Sequence, residues 1–370
     1  MHMNKVVMIT NIPSPYRVDL FYYIQTHIHD FEFYVIYTNK SEDNRQWNVQ
    51  EEKLLNTYIL ESKILKIRNK LDTRYIHLPS NIGKVLNEIR PDVVIAFEYN
   101  PAALQGLAWC RLHGKKFIHL TDGTLHSERN INVVQKFTRK IICSSADACI
   151  ASSTKAKEKL LAWGVREEKI FISLLTVDIS QYKKIERAPV QGRILYVGRI
   201  TRGKGLDLLM NALQYVKRDF KLHVVGDGDE ALVTELKAMS ESLGLSDKIV
   251  WCGYKSGQEL EDEYKHAQVF VLPTRDDCFG LVMLEAMCLG IPLVSSRYAD
   301  GAYDLVIDGE NGFIEDPYYP EKFAKAIENV LWEQSDFLIK NERHLERFSF
   351  KNVTSGYIDA VAYVLETEEK

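Results

Sequence analysis

Residues 193–213 read RILYVGRITRGKGLDLLMNAL. A β-prone run ends at Gly198. Two Arg, one Lys and three Gly then fall within the eight residues 198–205, and a helical pattern starts near 204. A strand that feeds a helix through such a turn belongs to a doubly wound sheet, which receives its ligands at the carboxyl ends of the strands. Glycines allow a ligand to approach the backbone closely, and Arg199 and Lys204 suit a diphosphate. Gly198 to Lys204 also spells G-x-x-x-x-G-K, but Gly205 stands where an ATPase loop needs Ser or Thr for magnesium, and no strand-terminal acid completes that site. The plain alternative is a solvated glycine-rich turn.

The same alternation extends in both directions. Downstream, KLHVVG (221–226), KIVWCG (248–253), VFVLP (269–273) and IPLVSS (291–296) are expected strands, with helices from about 229, 257 and 280. Upstream, the strands are KVVMIT (5–10), FEFYVIY (31–37), DVVIAF (92–97), KFIHLT (116–121) and DACIAS (147–152), with helices over 100–112 and 132–143. Strand–helix alternation means parallel sheets covered on both faces. The polar, aperiodic stretch around 178–192 separates the two series. The expected fold is therefore α/β, with two Rossmann-like doubly wound domains facing across a cleft. Residues 1–178 form the first, 179–192 the linker and 193–345 the second. Helical patterns start near 320, 337 and 350, and 346–370 is expected to pack back on the first domain.

Composition agrees. The 370 residues are 46% hydrophobic and 26% charged, which suits two globular domains and excludes a disordered chain. None of the six cysteines forms a C-x-x-C pair, so a reduced, cytoplasmic protein without a cysteine zinc site is expected. Neither a signal peptide nor an apolar run of membrane-spanning length is read. Residues 1–185 hold 26 Lys and Arg against 19 Asp and Glu, and the remainder hold 21 against 32. A basic first half fits an anionic surface or substrate. The pattern VVQKFTRKII (133–142), with Lys136, Arg139 and Lys140 beside apolar residues, makes peripheral membrane contact the expected use of that charge. A core helix with a solvated face is the alternative. No nucleic-acid partner is expected.

Three more segments carry chemistry. HVVGDGDEA (223–231) fits G-x-G-x-x-A after a strand, yet Asp227, Asp229 and Glu230 would face a pyrophosphate, so it reads mostly as a tight turn. In TRDDCFGLVMLEAMCLGIPLVSS (274–296) a helix starting near Gly280 offers the N–H groups of Gly280, Leu281 and Val282 to an anion. Glu285 is a charge inside that mostly apolar helix. In the first half, Asp122 follows the strand KFIHLT at its carboxyl end, Arg17 closes the opening loop TNIPSPYR (10–17), and His119 reads as a core histidine. No convincing metal constellation is read.

Taken in order, YVGR…KGLDLL, VVGDG, CG at 252–253, FGLVMLEAMCLGIPLV and DGENGF (308–313) resemble glycosyltransferase family 4, whose members have the GT-B fold. The opening IPSPYR resembles a subgroup that builds bacterial surface polysaccharides. The resemblance implies a retaining, metal-independent transferase. It would move a sugar from a nucleoside diphosphate, with UDP favoured, to a glycan or lipid-linked acceptor. Arg199 and Lys204 match the pair that neutralises the donor diphosphate. Gly253, Tyr254 and the backbone of Gly280, Leu281 and Val282 fall in the donor site, and Glu285 matches the ribose-holding second glutamate of E-x7-E. The first glutamate of that motif is Asp277 here, one methylene shorter. Asp122 aligns where relatives often carry a histidine, and the first loop lacks the usual glycine pair. Catalytic roles thus fall to Asp277, Asp122, Arg199 and Lys204, with no cofactor and no metal. Two other readings stay open: a nucleotide-sugar-binding partner without turnover, and a hydride-transfer enzyme resting on Gly226–Ala231 alone.

Overall fold

The computed structural model describes residues 3–43, 49–68, 73–182, 185–332 and 344–366. The helical pattern expected near 337 lies outside the described residues. The chain divides into two compact units. Met1–Asn69, Thr73–Asp178 and Phe348–Lys370 form unit 1, and Ile179–Arg347 form unit 2.

Unit 1 runs β1 (Lys5–Thr10), α1 (Pro15–His27), β2 (Glu32–Tyr37), β3 (Thr57–Ile59), β4 (Ser62–Arg68), β5 (Thr73–Pro79), α2 (Ile82–Ile89), β6 (Val93–Phe97), α3 (Pro101–His113), β7 (Lys116–Thr121), α4 (Val133–Ser145), β8 (Ala148–Ala151), α5 (Thr154–Ala162) and β9 (Ile170–Ile172). Its parallel sheet has the order β3-β2-β1-β6-β7-β8-β9. The central strands are fully buried, Val6 to Met8 and Val93 to Ala96 at 0% exposure, which explains their unbroken apolar runs. Asn100 accepts from Ala103 N–H to cap α3, with Pro101 in the first turn, and Asn132 and Gln135 form a capping box on α4. Sequence reading missed the antiparallel hairpin β4–β5 between β3 and α2.

Unit 2 begins with α6 (Ile179–Tyr182), a helical turn inside the stretch expected to be a plain linker, and continues with β10 (Arg193–Val197), α7 (Leu206–Leu213), β11 (Lys221–Val225), α8 (Glu230–Ser242), β12 (Ile249–Gly253), α9 (Gly257–His266), β13 (Val269–Leu272), α10 (Leu281–Cys288), β14 (Leu293–Ser296), α11 (Ala302–Leu305), β15 (Gly312–Glu315) and α12 (Pro320–Trp332). Its parallel sheet has the order β12-β11-β10-β13-β14-β15. The chain then returns to unit 1 as α13 (Phe350–Glu366), which packs on β8 and β9. Ser173 Oγ donates to the Val353 carbonyl at 2.8 Å at that junction.

Each sheet reverses its direction of growth once, between β1 and β6 in unit 1 and between β10 and β13 in unit 2. Ligands of open α/β sheets bind beyond the strand ends at such a switch point. The loops there are 11–14 and 98–100 in unit 1, and 198–205 and 273–280 in unit 2.

Candidate functional site

In unit 2 the two switch-point loops are knitted together. Thr274 Oγ1 and the Arg275 N–H donate to the Gly203 carbonyl at 2.8 and 2.7 Å. Gly205 sits at φ 71°, and a Cβ there would stand 2.1 Å from the Pro273 carbonyl oxygen, so only glycine lets α7 start against the end of β13. A short 3-10 turn, Arg202–Lys204, precedes it. The Lys204 ammonium pairs with the Asp277 carboxylate. The sequence assigns Lys204 to the diphosphate and Asp277 to the sugar, and the structure joins them in one ion pair. Asp277 Oδ1 also accepts the Phe279 N–H at 3.2 Å, and its backbone bridges to Ala299. Arg199 is half-buried beside this pair in the chain, its carbonyl held by the Tyr196 hydroxyl at 3.1 Å. Arg275 is tied to Asp207 by two bonds of 2.7 and 2.6 Å.

Gly280 precedes α10 in a left-handed conformation, and no side chain among the described residues caps that helix. The first N–H groups of a helix lack intrahelical partners, and the dipole concentrates positive charge there. The Asp277 carboxylate that holds Lys204 lies beside this helix start, its Oδ2 3.7 Å from where a Gly280 Cβ would stand. Glu285 is not on a solvated face. It is half-buried, and its Oε2 accepts the Tyr264 hydroxyl at 2.7 Å. Burial pushes its carboxyl above the usual range, and hydrogen bonds from Tyr264 and Tyr182 partly offset that.

The turn 226–231 has structural work. Gly226 lies so close to the first loop that a Cβ would be 2.0 Å from the Gly198 carbonyl oxygen. Asp229 caps α8, accepting from Ala231 and Leu232 N–H, and Asp227 Oδ1 accepts the Tyr254 N–H at 3.1 Å. Tyr254 itself is 44% exposed, next to Gly253 at φ 69°. His223, Cys252 and Glu263 bring ligand-type atoms within 4.8 Å of one another, a group sequence reading did not find. Arg193 and Lys255 already pair with that carboxylate. Burial would raise the Glu263 acid, but bonds from His223, Lys255 and Arg193 outweigh it and hold the acid well below the usual range. The group is a charge network joining α9 to the sheet.

Unit 1 answers with a buried network. Arg17 is 7% exposed and lies over the Phe97 ring at 3.6 Å. It donates to Thr10 Oγ1 and to Asp122 Oδ2, both at 2.9 Å. Asp122 Oδ1 is buried and has no hydrogen-bond partner among the described residues. The turn that carries Asp122 is anchored on Glu98, whose Oε1 accepts Thr121 Oγ1, Asp122 N–H and Gly123 N–H at 3.0, 2.7 and 3.1 Å. Glu98 has φ 62°, a conformation that non-glycine residues seldom adopt. Lys159, fully buried, donates to Thr121 Oγ1 at 2.8 Å and meets Glu128 at 3.3 Å. Arg139 holds Glu128 with bonds of 3.0 and 3.1 Å, so this cation of α4 faces inward. His119 is fully buried against Tyr99, and burial together with Lys159 and Arg139 keeps it uncharged.

Glu98, Lys159, Glu128, Tyr182 and Tyr264 were missed from sequence. Glu98 was findable, since it follows a strand as Asp122 does. Lys159 shares the 3–4 spacing of Ala156 and Leu160, the buried face of α5.

Two doubly wound parallel sheets, each with a cation–carboxylate pair at its switch point, describe a two-unit α/β protein of the Rossmann-like class. Residues 178–347 match the family model described as glycosyl transferases group 1, and residues 29–181 match glycosyltransferase family 4. The chain belongs to this glycosyltransferase family and has its GT-B fold. It is 26% identical over 260 residues to the lipopolysaccharide 1,6-galactosyltransferase of Salmonella typhimurium, covering 68% of each chain. It is 27% identical over 240 residues to an uncharacterized glycosyltransferase of Methanocaldococcus jannaschii, where the match covers 63% of this chain and spans 60% of the relative's length. Among solved structures, the apo lipopolysaccharide outer core galactosyltransferase WaaB superposes with a TM-score of 0.76 at 19% identity, over 96% of this chain and 99% of that one. Anabaena Alr3699/HepE in complex with UDP gives 0.77 at 16% identity, over 97% and 100%.

Proposed function

We propose that the protein transfers a sugar, with retention of its anomeric configuration, from a nucleoside diphosphate sugar, UDP favoured, to a hydroxyl of a glycan or lipid-linked acceptor, in the assembly of a bacterial surface glycan. The observation that carries this is the anion site of unit 2: Lys204 and Arg199 on one switch-point loop, and the uncapped N-terminus of α10 on the other. As the glycosidic bond breaks, charge gathers on the leaving diphosphate. Fixed cations and N–H dipoles stabilise that charge without a divalent ion. Lys204 is already paired with Asp277, so an arriving diphosphate shares or takes over that cation. This leaves the Asp277 carboxylate for the hydroxyls of the donor sugar. Glu285 serves the ribose.

The acceptor side falls to unit 1. Asp122, at the carboxyl end of β7, is the carboxylate we assign to the acceptor side; its Oδ1 is buried and has no donor among the described residues, so a local shift of its turn must admit the acceptor hydroxyl. Peripheral membrane contact is supported by α4, where Val133, Val134 and Phe137 are 80, 70 and 62% exposed. Lys136 and Lys140 are exposed beside them, while Arg139 is not available.

The test is transfer of label from UDP-, GDP- and ADP-sugars to glycan and lipid-linked acceptors, with and without EDTA. Full transfer in chelator is expected, and Asp277→Asn should cut the rate about 10–100-fold while nucleotide affinity holds or rises, because Lys204 loses its competing carboxylate. Activity lost to EDTA and restored by Mn2+ would refute the metal-free route. Tight nucleotide-sugar binding with neither transfer nor hydrolysis would favour a binding partner.

A further inference from the structure

Glu285 is the one charge in α10, LVMLEAMC. Two phenols aim at it from different elements. Tyr264, near the end of α9, donates to Oε2 at 2.7 Å. Helix α6 packs on α10, and its last residue, Tyr182, brings a second phenol to the same carboxylate. Tyr264 is 1% exposed and stacks on Phe270 with centroids 6.2 Å apart, so its hydroxyl has a fixed position. Burial and the neighbouring carboxylate push both phenols upward, so both stay protonated donors at neutral pH. A carboxylate offers about four lone-pair directions. Two phenols use at most two of them, and a carboxylate with two acceptor directions left matches a vicinal diol.

We propose that Tyr182 and Tyr264 are positioning residues that lock the Glu285 carboxylate as the acceptor of the ribose 2′- and 3′-hydroxyls, and that this clamp makes the site select ribonucleotides over deoxynucleotides. The proposal rests on the reading of Glu285 as the ribose ligand. Without the phenols the carboxylate can rotate, and it is also short of donors in a buried place. Both effects lower its worth to a diol and neither touches the diphosphate.

The experiment measures dissociation constants for UDP and 2′,3′-dideoxy-UDP, and for GDP and its dideoxy form, with wild type, Tyr182→Phe, Tyr264→Phe and the double variant. Wild type should prefer the ribo form of the nucleotide it binds by about 10–100-fold. Each Phe variant should lose most of that preference with its dideoxy affinity unchanged. In Tyr264→Phe the remaining preference should fade at a higher pH on acidification, because a carboxylate with one donor fewer takes up its proton sooner. Tyr182 is half-buried at the surface of unit 2, so its variant answers the question even if Tyr264→Phe does not fold. An unchanged preference in Tyr182→Phe and the double variant, or equal losses for ribo and dideoxy forms, overturns the positioning role alone. A wild type that binds both forms alike, or neither nucleotide, overturns the ribose reading and the clamp with it.

Discussion

Both units place a basic residue and an aspartate together at the carboxyl end of a parallel sheet, but they do so differently. In unit 1, Arg17 and Asp122 have side chains 9 and 17% exposed and rest on Glu98, Thr10 and Phe97. In unit 2, Lys204 and Asp277 are 23 and 15% exposed, and beside them lies a helix end with no capping side chain. The two carboxylates are about equally enclosed, but the first cation is the more buried and shares a larger hydrogen-bond network, while the second pair stands beside an uncapped helix start. A buried pair is costly to break because the survivor keeps its charge without a partner. A pair with fewer supporting bonds costs less to break, and a ligand that competes for its cation meets less resistance.

The largest effect should separate the two directly. Arg17→Met strands the Asp122 carboxylate and should lower stability by about 3–5 kcal/mol. Lys204→Met leaves Asp277 with the Phe279 N–H as donor and should cost less, about 1–3 kcal/mol. For UDP the order should reverse. Lys204→Met should weaken it about 10–100-fold and leave uridine binding unchanged, as expected for loss of a charge-assisted phosphate contact. Denaturant melts and calorimetric titrations of the two variants check both halves. Equal destabilisation by the two variants would erase the distinction, and equal losses for UDP and uridine would move Lys204 away from the phosphates.

This contrast also marks what was legible. The unit 2 site is written in two short segments, 198–205 and 273–285, where glycine, cation and helix start follow one another within a few residues. The doubly wound alternation was equally local, and most strands lie within a residue or two of their expected bounds. The pairing of Lys204 with Asp277 spans 73 residues and that of Arg17 with Asp122 spans 105, and neither separation leaves a periodic trace. Lys159 looks like a surface lysine in TKAKEKLLA until the buried face of α5 is known. The helical turn α6 was hidden because Tyr182 is the only aromatic in a polar stretch, and its partner Glu285 lies far along the chain.

A second, smaller effect sharpens the claim that unit 1 carries the larger buried network. Burial raises the Glu98 carboxyl above its ordinary value near 4.5, with the Lys159 cation opposing. The folded state therefore keeps this proton to a higher pH than the unfolded chain does. Its contribution to stability is most favourable below the ordinary value and is lost as pH rises through the raised one. Glu98→Gln keeps an oxygen for the Asp122 and Gly123 N–H groups and removes the titration. Stability curves of wild type and variant should differ in slope across that window by up to about 1.4 kcal/mol per pH unit. Parallel curves would mean that Glu98 is better solvated than its position indicates.

The smallest effect concerns cations within unit 1 itself. Helix α4 carries Lys136, Arg139 and Lys140 in one turn, and the structure assigns them unlike surroundings. Arg139 is 8% exposed and bound to Glu128, while both lysines are exposed beside Val133, Val134 and Phe137. If this face meets anionic lipid, Lys136→Ala and Lys140→Ala should each weaken vesicle binding by about 1 kcal/mol, roughly fivefold, and added salt should shrink the difference. Phe137→Ser should weaken binding in high salt as well, since its term is apolar. Arg139→Ala should act on melting temperature instead, because it leaves the Glu128 carboxylate to Lys159 alone. Sedimentation with vesicles of anionic and of neutral composition distinguishes these outcomes. Equal partition into both, or lysine variants that bind like wild type, would return α4 to an ordinary solvated helix. Loss of lipid binding in Arg139→Ala without a fall in melting temperature would show that this cation, too, faces outward, and that unit 1 is less enclosed than its ion pairs imply.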